Sequence, residues 1–121
     1  MKYRQVELQN GKIDIPAIMD ALTPDVKLVL LQRSRGYDWR PSLSVAELNE
    51  AIDAIHAKQP ETCVMVDNCY GEFTNAEEPR ADLMAGSMIK NPGGGIAPTG
   101  GYIAGRRKFV DLVSYRLTSP G

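Results

Sequence analysis

Apolar side chains along this chain follow two rhythms, short continuous runs and stretches recurring every three to four residues, with polar, Gly- and Pro-rich breaks between them. Residues 27–32 (Lys-Leu-Val-Leu-Leu-Gln) form a nearly continuous apolar run, the pattern of a strand covered on both faces in a parallel sheet. Ser44 and Glu47 stand in S-x-x-E spacing, and Val45, Leu48, Ala51, Ile52 and Ile55 recur at helical intervals. This predicts a capped helix over 44–58, ended by Gln59-Pro60. The β-branched run 62–66 follows, so 27–66 reads as one βαβ unit with a right-handed crossover. Upstream, 3–8 reads as a short strand or lead-in segment. Asp14 can cap a brief helix through Ile15, Ile18, Met19 and Leu22, with Pro16 tolerated in its first turn. Downstream, 81–87 and 100–105 read as two more strands joined by the glycine-rich loop 90–99, and 106–115 has helical spacing. The expected fold class is therefore α/β, a mostly parallel sheet with flanking helices.

The 121 residues, 43% hydrophobic and 24% charged, suffice for one soluble globular domain with its own core. A net charge of −1 and scattered basic residues offer no general attraction to nucleic acid or to anionic membranes, so neither is an expected partner. No apolar run approaches the ~20 residues of a membrane span. Met1-Lys2-Tyr3-Arg4-Gln5 lacks the apolar core of a signal peptide, and the cytoplasm is the expected location. Cys63 and Cys69 fit neither a disulfide framework nor a CxxC metal pair, so reduced thiols and no metal site are expected. His56, in a helical pattern among surface-type neighbours, is expected to be solvated.

Candidate chemistry gathers at the carboxyl ends of the predicted strands, the edge where open α/β sheets bind ligands. Asp67 directly follows Val64-Met65-Val66, and Lys90 lies just past the next apolar segment, before Asn91-Pro92-Gly93-Gly94-Gly95. An acid and an amine so placed suit pyridoxal phosphate: the acid keeps the pyridine nitrogen protonated and the lysine carries the cofactor as a Schiff base. One-sided burial is expected to lower the Lys90 pKa. Taken singly, Asp67 could equally begin an Asx turn, and Lys90 could be a solvated lysine before a glycine turn. Ser87 could donate to a cofactor phosphate or be an ordinary small strand residue. Arg33, Arg35 and Arg40 share a loop with Tyr37 and Trp39; their guanidinium forks suit a substrate carboxylate or a phosphate, or the loop is a surface or interface element. The glycine order matches neither GxxxxGK[ST] nor GxGxxG, which ranks nucleotide binding last.

Three segments carry a resemblance: Val66-Asp67-Asn68-Cys69-Tyr70-Gly71-Glu72-Phe73, the stretch 81–95 containing Gly86-Ser87-Met88-Ile89-Lys90-Asn91-Pro92, and Thr99-Gly100-Gly101-Tyr102-Ile103-Ala104-Gly105-Arg106. With Gln32-Arg33-Ser34-Arg35-Gly36-Tyr37 and Tyr115-Arg116-Leu117-Thr118, they make the chain similar to the methionine gamma-lyase-like family, often called aluminium resistance proteins. That resemblance implies a fragment of the large pyridoxal phosphate domain of the aspartate aminotransferase fold. It also implies carbon–sulfur lyase chemistry on a sulfur-containing amino acid, at the methionine gamma-lyase or cystathionine beta-lyase level, and a homo-oligomer when full length. By the same resemblance Lys90 is the Schiff-base lysine, Asp67 the partner of the ring nitrogen, and Ser87 and Asn68 are cofactor contacts; Arg33, Arg35 and Tyr37 are placed toward substrate. Ile89 stands where related enzymes often carry a hydroxyl, and Arg80 where a glycine is expected. Residues 1–121 are expected to be the central part of a longer domain, truncated at both ends and weak or inactive alone. A non-catalytic α/β binding or interface fragment is the alternative.

Overall fold

A computed structural model describes residues 2–117. Its elements are α1 (Ile15–Ala21), β1 (Leu28–Gln32), α2 (Val45–Lys58), β2 (Cys63–Asp67), β3 (Leu83–Ser87), β4 (Gly101–Gly105) and α3 (Arg107–Ser114). They build a four-stranded sheet in the order β1-β2-β3-β4, in which β1, β2 and β3 run parallel and β4 returns antiparallel. The α/β class and the β1–α2–β2 unit follow the sequence pattern. No helix among the described residues is long and apolar enough to cross a membrane.

Helix α2 forms because its apolar residues share one stripe and its first turn is closed by a reciprocal cap. Ser44 Oγ accepts from Glu47 N at 3.2 Å, while Ser44 N donates to Glu47 Oε2 at 2.8 Å. The stripe buries Leu48, Ala51, Ile52 and Ile55 against Leu31, Val64 and Val66 of the sheet, with Ile18 and Leu22 completing the core. Asp14 caps α1 by accepting from Ala17 N at 2.9 Å.

Several expectations are corrected. Residues 3–8 form no strand, since no ladder partner lies beside them among the described residues; a single bridge between Gln9 and Lys12 spans a turn at Asn10 and Gly11. β1 is covered on one face only. Val29 and Leu31 turn to the core, whereas Leu28 and Leu30 remain 50% and 58% exposed, because β1 is an edge strand and both α1 and α2 lie on the other face. His56 is not simply solvated: its Nε2 lies 2.8 Å from Oδ2 of Asp82, an oxygen that also accepts from Val64 N at 2.8 Å. Arg106 Nε stands 3.0 Å from Asp82 Oδ1. The buried Asp82 thus joins α2, β2 and the start of α3 at the amino end of β3, a long-range meeting that helical spacing could not reveal.

At the opposite, carboxyl edge the loop 68–80 has no regular structure and is held by Arg33, which is only 4% exposed. The Arg33 guanidinium donates to Asn68 Oδ1 and Glu78 Oε2, both at 2.8 Å, and to Asn75 Oδ1 at 2.6 Å and Thr74 Oγ1 at 3.2 Å. Gly71 leaves room for it, since a Cβ there would meet the guanidinium carbon at 2.7 Å.

Two outcomes test these anchors. Replacing Ser44 by Ala should cost about 1 kcal/mol in urea denaturation at neutral pH. The Ser44 hydroxyl and backbone N–H hold the Glu47 carboxyl below its ordinary 4.5, so the stabilisation is present above that value. It is lost as pH falls through the lowered folded value, and the S44A penalty should shrink there. Replacing Arg33 by Met strands polar partners around a buried position and should cost about 3 kcal/mol, measured in the same way.

Candidate functional site

The parallel register sets Asp67 at the end of β2 opposite Ala85, and Ser87 at the end of β3 opposite Gly101 on β4. Parallel strands deliver their carboxyl ends to one edge, so Asp67 and the turn after Ser87 emerge together. Asp67 Oδ1 accepts from Cys69 N at 3.1 Å, so the residue does begin the Asx-type turn weighed above. Among the described residues its Oδ2 accepts no hydrogen bond and stays available. Gly71 N donates to the carbonyl of Asn68 at 2.8 Å, and Tyr70 between them takes a left-handed conformation with φ 68.

Lys90 follows β3 by three residues, half-buried, with Nζ 4.5 Å from the centroid of the Tyr70 ring. Its amine is held above the ordinary 10.5, not below it as one-sided burial would give. The neighbouring Cys69 side chain is the chief cause; burial pulls the other way, and the charges of Cys69, Tyr70 and Asp67 add to the rise. Too little of the amine leaves water for desolvation to win, while the groups facing it favour the ammonium.

Other expected site residues divide sharply. Ser87 is half-buried at the strand end, its Oγ accepting only a long 3.4 Å contact from Ile89 N. Asn68 is turned away: it is buried, receiving from Arg33 and donating through Nδ2 to Glu78 Oε2 at 3.0 Å, so its side chain is spent on the loop rather than facing the edge. Arg33, expected as a substrate contact, is instead the buried anchor of the loop: it is 4% exposed, and its two Nη groups donate to four acceptors within the loop. Arg35 and Tyr37 do stand on the exposed loop, with the Arg35 guanidinium 5.8 Å from the Trp39 ring. Arg40 donates to the carbonyl of Ser34 at 2.6 Å and stiffens that loop.

Sequence reasoning overlooked Cys69 and Tyr70 as neighbours of the amine, although their place one turn after Asp67 was the available signal. It also overlooked Glu72 and Tyr102, for which no local pattern exists. Tyr102 Oη donates to Glu72 Oε1 at 2.8 Å across Gly86, which lacks the side chain that would block the approach. Burial first, and then the Glu72 carboxylate, push the Tyr102 phenol up to about 12. Glu72 is itself buried, and among the described residues its Oε2 has no hydrogen-bond partner. Both cysteines are free thiols.

An ionisable amine, an available carboxylate oxygen and a hydroxyl therefore share one sheet edge beside a glycine-rich loop. The profile of the family described as methionine gamma-lyase matches residues 1–121. An uncharacterized protein of Bacillus subtilis, YnbB, is 50% identical over 98% of this chain, which spans 29% of that relative's length. A Clostridium acetobutylicum structure, provisionally assigned as a cystathionine beta-lyase involved in aluminium resistance, superposes with TM-score 0.91 at 50% identity, covering 99% of this chain and 30% of its own. A carbon-sulfur lyase involved in aluminium resistance from Clostridium novyi NT gives TM-score 0.90 at 44% identity, over 98% of this chain and 29% of its own. An aspartate aminotransferase from Rhizobium meliloti, 20% identical over 89% of this chain and 30% of its own, reaches TM-score 0.64 and shows that the shared architecture is part of the aspartate aminotransferase fold. With a family match running from its first residue to its last, this chain belongs to the methionine gamma-lyase family.

Proposed function

We propose that these residues form the reacting edge of a pyridoxal phosphate-dependent carbon–sulfur lyase acting on a sulfur-containing amino acid. The observation that carries the reading is that Asp67 ends β2 while Lys90 follows the end of the neighbouring β3 by three residues, on the same edge of the sheet. The donor set suits the cofactor. Lys90 supplies the amine that would hold it covalently, Asp67 Oδ2 an acceptor for the ring N–H, and Ser87 Oγ a donor for its phosphate. When bound, the cofactor supplies an electron sink for a carbanion at the substrate α-carbon.

The chain's own groups do the rest. Asp67 fixes a proton on the ring nitrogen and, tied to Cys69 N, keeps one orientation. Lys90 Nζ, once free of the cofactor, is the base for the α-proton. Arg35 is the guanidinium of the 33–43 loop exposed enough to meet a substrate carboxylate. Tyr37, Trp39, Phe73 and Ile96 are exposed at 110%, 94%, 79% and 89% on loops of this edge, which supports assembly of the full-length protein with a second copy there.

Borohydride reduction after incubation with pyridoxal phosphate, followed by peptide mass spectrometry, should place the adduct on Lys90 and lose it in Lys90→Ala. Label spread over other lysines, or none, refutes the assignment. Attack requires the neutral amine, whose fraction grows about tenfold per pH unit below the pKa. Because that pKa lies above 10.5, adduct formation should show no amine-linked plateau below that pH, and Cys69→Ala should bring the plateau down.

A further inference from the structure

Tyr70 is a costly residue for its place. A bulky non-glycine side chain in the left-handed region is uncommon and strained, and the ring is 60% exposed, so core packing does not repay it. The turn is nevertheless fixed on both sides. Asn68, just before it, is buried in the Arg33 and Glu78 network, and Gly71, just after it, sits against the Arg33 guanidinium. With the backbone held so, the ring lies at 4.5 Å from Lys90 Nζ, within the range of a cation–π contact.

We propose that Tyr70 is a positioning residue for Lys90, its ring docking the ammonium over the 67–71 turn while the lysine carries no cofactor. The inference rests on the reading of Lys90 as the attachment lysine, but concerns a different state of that amine. The ring face attracts the ammonium and not the neutral amine, so it holds the side chain near Asp67 and keeps it protonated. Loading then requires deprotonation and departure from the ring, which makes Tyr70 a restraint on premature reaction. Cys69 and Asp67 act on the same ammonium from the same turn.

Competitive acetylation across pH, read by mass spectrometry at Lys90, measures the amine pKa with no cofactor present. Tyr70→Leu should lower it by roughly half a pKa unit, and Tyr70→Phe, which keeps the ring face but loses the phenol's charge, should lower it by clearly less. Tyr70→Gly removes the ring and relieves the left-handed strain, so it should match Tyr70→Leu if the ring is the active feature. Adduct formation with pyridoxal phosphate at pH 7.5 should rise roughly threefold in the Leu and Gly variants, the increase in neutral amine that half a unit gives. An unchanged Lys90 pKa in both variants overturns the proposal. A lowered pKa with no adduct at Lys90 in any variant would keep the docking role and defeat the cofactor reading instead. Circular dichroism on each variant separates either result from unfolding.

Discussion

One guanidinium, buried among side chains that are otherwise loop residues, sets the geometry of the carboxyl edge of the sheet. The segment 68–80 has neither helix nor strand to hold it, and its order comes from the four acceptors that Arg33 gathers. Because Asn68 is drawn inward to that cation, its neighbours Asp67, Cys69 and Tyr70 are left on the edge of the sheet. The arrangement separates two tasks that the same loop must perform. Inward-facing groups fix the backbone, and outward-facing ones meet Lys90.

A second polar knot, at the far edge, complements the first. Asp82 is almost wholly buried; its Oδ2 accepts from Val64 N and lies 2.8 Å from His56 Nε2, its carbonyl accepts from Arg106 N at 2.8 Å, and its Oδ1 forms an ion pair with Arg106 Nε, so the amino end of β3 is locked to α2 and to the start of α3. With Arg33 at one edge and Asp82 at the other, the parallel register of β2 and β3 is pinned at both ends. That register places Asp67 and Ser87 at adjoining strand termini.

The sequence was most readable where short-range rules operate. The capping box of Ser44 and Glu47, the stripe through Leu48, Ile52 and Ile55 and the apolar runs of β1 and β2 are written in neighbouring positions, and the structure follows them. Asp67 and Lys90 could be singled out because strand ends in a parallel sheet share an edge whatever the side chains are. The missed side-chain pairings share a cause, partners distant in the chain. Arg33 finds Glu78, His56 finds Asp82 and Tyr102 finds Glu72 only after folding, and no spacing announces such meetings. The basicity of Lys90 was misjudged because its balance depends on Cys69 and Tyr70, brought beside it by the left-handed turn that follows Asp67.

The protonated resting condition of Lys90 has a consequence for chemical selectivity among carbonyl compounds. An ammonium has no lone pair to offer, so sugars and short aldehydes that strike this edge in passing meet an inert group at neutral pH. Only a carbonyl compound that lingers, tethered by contacts of its own, stays long enough to encounter the rare neutral form. Low instantaneous reactivity thereby becomes discrimination by residence time.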